Sequence, residues 1–187
     1  NKKAFNEIIE VFKQADAVII EGLEIKQTQL IFNLMKYEFK RNMNHYLSTL
    51  GTNSRMKSLK DILQYNREHH KDGLKYNQQL LEECEYNTSG RMIETEYLDA
   101  VEERETAIKA LDYLFDEHKL DIIYFANYTS LGPNCGFPTM TIPIGIGDKN
   151  IPIGAYFLAQ RYKEKNLIRI GFALEQIIKK RVNPITK

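Results

Sequence analysis

The sequence predicts an α/β protein whose first two-thirds are rich in helix and whose last third supplies a sheet. All five prolines lie at or beyond Pro133, so residues 1–132 contain none of the residues that break helices most strongly. Before residue 119 apolar residues recur at helical spacing, whereas afterwards they form short β-branched or aromatic runs between Gly and Pro. We expect one region, residues 1–187, without an internal domain boundary.

The first elements are a helix, a strand and a second helix. "KAFNEIIEVFKQ" has the pattern of an amphipathic helix, and Ala17–Ile20 predicts a short buried strand that Gly22 closes. Glu24–Leu50 then predicts a helix for which Gly51 supplies a stop. Its expected inward face consists of Ile31, Met35, Phe39, Met43, Tyr46 and Leu50.

Three more helices are predicted before the strands begin. Ser58 and Asp61 resemble a capping box that starts a helix through "LKDILQYNREHH", and a shorter helix is expected near "KYNQQLLEECE". A long charged helix follows and ends near "FDEHKL". Its expected apolar face consists of Ile93, Tyr97, Val101, Ile108, Leu111 and Phe115.

The last third predicts three strands and a closing helix. The strands are "LDIIYFA", "TMTIPIG" and "IPIGAYFLAQ", with "GIGDKN" as a turn between the last two. "EKNLIRIGFALEQIIKKR" has helical spacing, and Lys and Arg in its last turn suit the helix dipole. Its expected inward residues are Leu167, Ile170, Leu174 and either Ile177 or Ile178.

Composition argues against several partners and cofactors. The net charge of +1 gives no basic face for nucleic acid, and no apolar stretch predicts a membrane span or a signal peptide. We expect a soluble, cytoplasmic protein with two reduced thiols, Cys84 and Cys135. Neither a metal site nor a cofactor is predicted, because no cluster of ligands has a suitable spacing.

Each candidate for catalysis also has a simpler structural interpretation. Ser54 and Lys57 match a Ser-x-x-Lys pattern but precede a helix as a solvated linker would. His69 and His70 point about 100° apart on a helix, and the carboxylates of residues 94–117 fall on a polar face. Cys135 with His118 upstream could form a nucleophilic pair, or the cysteine could simply pack beneath its loop.

Five segments occur in a distinctive order: "YEFKRNMNHYLSTLG", "SLKDILQYNREHH", "EHKLDIIYFAN", "GFPTMTIPIG" and "IPIGAYFLAQRYKEKNLIRIGFALEQ". Together they resemble the C-terminal part of amidase signature family enzymes. The resemblance implies a portion of an α/β/α sandwich with a mixed central sheet, and hydrolysis of a carboxamide C–N bond by a Lys, cis-Ser, Ser triad. That triad and its Gly/Ser-rich oxyanion segment belong to the family's N-terminal half, so no catalytic residue is assigned here.

The resemblance also suggests where a substrate would lie. By position, the loop within "PNCGFPTMTIPIG" contributes to a substrate pocket through Asn134, Cys135, Gly136, Phe137 and Pro138. The loop is about one residue shorter than in the family, and Phe137 could face a ligand or belong to the core.

These observations lead to two hypotheses about function. In the first, the chain is the pocket-contributing C-terminal fragment of an amidase for a small-molecule amide, and it is inactive alone. A missing N-terminal half, or self-association through an exposed sheet edge, would then complete its sheet. In the second, it is a non-catalytic scaffold or binding module of the same ancestry.

Overall fold

The computed structural model describes residues 2–25, 30–147 and 150–183, and it confirms a helix-rich α/β fold with a small antiparallel sheet. Its elements, in chain order, are α1 (Lys2–Gln14), α2 (Leu30–Thr49), α3 (Leu59–Glu68), α4 (His70–Gly73), α5 (Gln79–Tyr86), α6 (Thr95–His118), β1 (Ile123–Phe125), α7 (Leu131–Cys135), β2 (Thr139–Ile146), β3 (Pro152–Leu158) and α8 (Glu164–Ile178).

The elements group into two compact units. The sheet unit comprises Asn1–Gln27 together with Glu105–Lys187, and the helical unit comprises Thr28–Arg104. The expectation that residues 1–187 form a single region without an internal boundary stays a prediction.

The sheet unit is built on three antiparallel strands in the order β1-β3-β2. Across the strands, Tyr156 is paired with Phe125 on one side and with Thr141 on the other. A register shift between Pro143 and Gly145 interrupts the β2–β3 ladder. Beyond it, the N–H of Gly147 donates to the carbonyl of Ile151 at 2.8 Å, while two residues of the predicted "GIGDKN" turn lie outside the described residues. The three predicted strands are confirmed.

One face of this sheet forms the main core with α1 and α8. The buried residues of this core come from α1, β2, β3, the residue that follows β3, and α8: Ile8, Ile142, Ile144, Ala155, Phe157, Ala159, Leu167 and Leu174. Phe157 is 1% exposed and meets Phe12 edge to face, with ring centroids 6.1 Å apart. Of the two alternatives for the last turn of α8, Ile178 packs against this core and Ile177 is exposed.

The predicted buried strand at Ala17–Ile20 is wrong. These residues follow α1 without strand structure, and the Val18 side chain is 89% exposed. The N–H of Ala17 donates to the carbonyl of Phe12 and so closes the end of α1. A β-branched run becomes a strand only where a neighbouring edge accepts its backbone hydrogen bonds, and local pattern alone does not supply that edge.

In the helical unit, α2 is confirmed as a helix, but its buried face differs from the predicted one. Met35 and Tyr46 are exposed, whereas Leu34 and Leu47 are each only 5% exposed. The side chain of Ile31 lies outside the described residues. Because α2 carries apolar residues on several sides, helical spacing alone could not select the face that would be buried.

The predicted start of α3 is confirmed in detail. Ser58 caps the helix by accepting a hydrogen bond from the N–H of Asp61, while the Asp61 carboxylate accepts one from the N–H of Ser58. The helix then buries Leu59 and Leu63 completely. The predicted helices α5 and α6 are also present, although Ile93 precedes α6 and is exposed.

Candidate functional site

The connection between β1 and β2 carries the predicted pocket residues, and α7 lies in its middle. Before α7, the buried Thr129 accepts a hydrogen bond on Oγ1 from the N–H of Leu131 at 3.1 Å. Gly136 ends α7 with a φ of +73°, a left-handed conformation that favours glycine. The N–H of Phe137 then donates to the carbonyl of Gly132 at 2.9 Å, so the loop is fixed on both sides of α7.

Phe137 lies in the core of the sheet unit. Its side chain is 3% exposed and stacks with Phe115, with ring centroids 6.2 Å apart and planes inclined by 15°. The guanidinium carbon of Arg161 lies 5.3 Å from the Phe137 ring centroid, and Arg161 Nη2 is 2.5 Å from Asp112 Oδ2. Phe137 is therefore a packing residue in this structure, and its contact with a ligand stays a prediction.

The other four predicted pocket residues differ in how accessible they are to a ligand. Cys135 is only 4% exposed, which suits a packed thiol better than an accessible nucleophile. Asn134 is half-buried and Gly136 is exposed, so both can be reached from solvent. The carbonyl of Pro138 accepts a hydrogen bond from the N–H of Ala159 at 3.1 Å, which ties the loop to the end of β3.

Tyr156 is a polar residue beside this connection that the sequence reading missed. It is 6% exposed, and its hydroxyl lies near the side chain of Thr139. Burial raises the pKa of the Tyr156 hydroxyl, the nearby Thr139 side chain opposes that rise, and Tyr128 adds to it. The hydroxyl is therefore a neutral donor at ordinary pH. The sequence feature that could have indicated a buried hydroxyl here is a tyrosine within an otherwise apolar strand.

A cavity of about 420 Å³ lies at the hairpin end of the sheet. Among its lining residues are Phe5, Tyr124, Asn127, Tyr128, Pro152 and Gly154. Tyr124 stacks with Phe5 at a centroid distance of 4.4 Å, and burial raises the pKa of Tyr124 to about 12. None of the five predicted pocket residues is among those that line this cavity.

The remaining catalytic candidates have structural partners. Ser54 Oγ donates to the carbonyl of Met56 at 2.9 Å, and Lys57 Nζ donates to the carbonyl of Gly51 at 3.1 Å. Each group of the Ser-x-x-Lys pattern is thus used in holding the turn before α3.

His69 and the acidic residues of α6 also have local structural contacts. The His69 ring stacks on Tyr65 at a centroid distance of 4.0 Å. On α6, Asp116 accepts a hydrogen bond from Gln160 at 3.1 Å. Within the described residues there is no group of three or more His, Cys, Asp or Glu that could hold a metal ion, and no helix long and apolar enough to cross a membrane.

Comparison with known proteins gives information about function that the geometry of the site does not. No family model matches the chain. A protein of Arabidopsis thaliana named a probable amidase is 29% identical over 180 residues, which are 90% of this chain and 35% of that protein. The crystal structure of an amidase family protein from Bacillus anthracis is 29% identical, has a TM-score of 0.82 and matches 99% of this chain.

The chain is an amidase-like region. It spans only about a third of these relatives, with 37% of the Bacillus anthracis protein covered. The fold of the amidase-like region also matches the peptide amidase of Stenotrophomonas maltophilia, with a TM-score of 0.80 at 24% identity over 41% of that chain. The resemblance read from the five ordered segments is thereby confirmed.

Proposed function

We propose that this chain is the C-terminal, pocket-contributing part of an amidase signature enzyme that hydrolyses a carboxamide C–N bond. The observation that carries the proposal is the 29% identity to an amidase family structure that matches 99% of the chain. The catalytic triad and the oxyanion donors would then lie on polypeptide that precedes Asn1.

Two features of the chain support the view that it needs such a completing part. The sequence contains no Gly-Gly-Ser-Ser segment, which the family resemblance would require for the oxyanion site. The best internal nucleophile candidate, Cys135, is 4% exposed, and Ser54 is hydrogen-bonded to a carbonyl. We therefore propose that the chain alone is inactive and that the amide substrate is bound jointly with the completing part.

Ammonia release from primary carboxamides tests this proposal. We expect the purified chain to release no ammonia above the buffer rate, and we expect release when the same chain carries the upstream residues of its own reading frame. A matched control substitutes the triad serine of the extended protein, which should abolish release.

Two outcomes would contradict the proposal. Turnover by the chain alone that is lost in Cys135→Ala would make the cysteine the nucleophile. An upstream region without the Lys and the Gly/Ser-rich segment, together with an inactive extended protein, would favour the non-catalytic scaffold or binding module instead.

A further inference from the structure

The segment that follows α1 is apolar, but no described strand pairs with it. Residues 18–25 belong to no helix or strand, and they make no backbone–backbone hydrogen bond with other described residues. The side chain of Val18 is 89% exposed, that of Ile20 is 40% exposed, and Ile19 is half-buried. Consecutive β-branched residues that stand in water indicate a surface that binds another segment.

The end of α1 fixes the direction in which this segment leaves the helix. The N–H of Ala17 donates to the carbonyl of Phe12 at 3.0 Å. The N–H of Asp16 donates to the carbonyl of Lys13 at 3.1 Å, and Asp16 has a φ of 57°. These two bonds around a left-handed residue form the Schellman ending of a helix. Because an ordered helix end presents the segment, pairing it with another strand costs less conformational entropy.

The apolar pattern of residues 18–21 suits a strand that is covered on both faces. Successive side chains of an extended chain point to opposite faces, so Val18 and Ile20 share one face and Ile19 lies on the other. Apolar residues on both faces are typical of a strand inside a sheet that is covered on both sides. Gly22 has a φ of 78°, which lies far from strand geometry, so the run that can pair ends before it.

The relatives of the chain contain polypeptide that could supply both a strand edge and the cover. This chain corresponds to 37% of the Bacillus anthracis amidase family protein and to 35% of the probable amidase of Arabidopsis thaliana. Polypeptide that precedes Asn1 would enter at the start of α1, about 20 Å from its end, so its pairing with the segment would be intramolecular. A second copy of the chain would lack that advantage and would bring the same uncovered segment with it.

We propose that residues 18–21 form a strand against an edge of the polypeptide that precedes Asn1, and that this polypeptide also covers Val18 and Ile20. The backbone supplies hydrogen bonds and the alternating side chains supply apolar contacts, as in other interfaces made by adding a strand to an edge. The segment is not a strand in the chain alone, because no described edge pairs with it. This inference rests on the proposed function, since it assigns an interface to the completing part of the amidase.

Amide hydrogen exchange tests the proposal in the chain alone and in the same chain extended by the upstream residues of its reading frame. In the chain alone, we expect the amides of residues 18–21 to exchange near the rate of an unstructured peptide. In the extended protein, we expect them to exchange at least about 100-fold more slowly, because strand pairing protects them. An extended protein in which these amides exchange as fast as in the chain alone would overturn the proposal.

Val18→Asp separates an interface residue from one that stabilises the chain itself. We expect the melting temperature of the chain alone to stay unchanged, and that of the extended protein to fall by at least about 5 °C, because a charge would be buried there. Val182→Asp is the matched control at a valine of the sheet unit that is 61% exposed and outside any strand, and it should change neither protein.

Three outcomes of these variants and of dilution decide between the possible occupants. Equal effects of Val18→Asp and Val182→Asp on the extended protein would overturn the proposal, as would an equal loss from Val18→Asp with and without the upstream residues. If the extended Val18→Asp protein does not fold, Val18→Thr should give a smaller shift in the same direction. Protection of residues 18–21 in the chain alone that disappears on dilution would identify a second copy as the occupant and also overturn the proposal.

The proposed function is judged by a different readout, the release of ammonia by the extended protein. If that protein is inactive while residues 18–21 are protected, the proposed function fails and this inference stands. If it releases ammonia while these amides exchange freely, the inference fails and the proposed function stands.

Discussion

At the scale of single residues, close packing fixes the connection that carries the predicted pocket. Gly132 lies in α7, where an added Cβ would clash with Thr139 Cγ2 and come within 2.9 Å of Leu158 Cδ1. Both neighbours lie on strands, and Leu158 is completely buried, so its side chain has little room to move away. The absence of a side chain at Gly132 is what allows α7 to approach β2 and β3 this closely.

We expect Gly132→Ala to destabilise the chain by about 1–3 kcal/mol, the usual cost of overpacking a core. Gly51→Ala is the control, because its Cβ would meet nothing within 4 Å, and it should change stability by less than about 0.5 kcal/mol. Urea unfolding of the two variants measures the difference. Equal stabilities would mean that α7 does not pack on the strands as described.

At the scale of elements, an acidic residue holds the turn that leads into α6. The Glu94 carboxylate accepts hydrogen bonds from the N–H of Ser89 at 2.7 Å and from the N–H of Ile93 at 3.0 Å. These bonds, with the Ser89 contacts contributing most, lower the pKa of Glu94 from 4.5 to about 2. The charged carboxylate therefore favours the folded helical unit.

The direction of this pKa change predicts how stability depends on pH. Since the pKa is lower in the folded state, the contribution of Glu94 is complete above about pH 4.5 and is lost as the pH falls toward 2. We expect Glu94→Gln to be less stable than the wild type at pH 7 and to lose less stability over that acidic range. Thermal melts from pH 7 to pH 2 test this, with Glu117→Gln as a control at an exposed carboxylate of α6. Parallel stability curves for Glu94→Gln and the wild type would contradict it.

At the scale of the whole molecule, the sheet has two outer strands. With the order β1-β3-β2, β1 and β2 each present one edge that no other described strand pairs. Ile146 at the end of β2 is 46% exposed. Unpaired edges with apolar neighbours tend to pair with another chain, which is the role we propose for the completing part of the amidase or, in its absence, for a second copy.

We expect the isolated chain to self-associate at micromolar concentration, and we expect Ile146→Lys to weaken that association because a charge at the edge opposes strand pairing. Ile168→Lys, on the exposed face of α8, is the matched control and should leave association unchanged. Sedimentation velocity measures both variants. A monomer with strongly protected β1 and β2 amides would contradict the prediction.

The sequence by itself determined the features that depend on local bonding. Ser58 and Asp61 predicted the start of α3, because a capping box is closed within four residues. The change from helical spacing to short β-branched runs predicted the order of helices and strands, and the five ordered segments predicted the likeness to amidases.

Tertiary structure alone decided which surfaces are buried and which polar groups find partners. Residues distant in sequence decide whether a side chain is buried, as the exposed Val18 and the buried Leu34 show. They also supply packing partners, as Phe115 does for Phe137. The same is true of Tyr156, whose hydroxyl is enclosed by side chains from β1, β2 and the connection after β1. Whether a residue is buried or hydrogen-bonded depends on the segment that packs against it. The local sequence pattern describes the residue but does not specify that second segment.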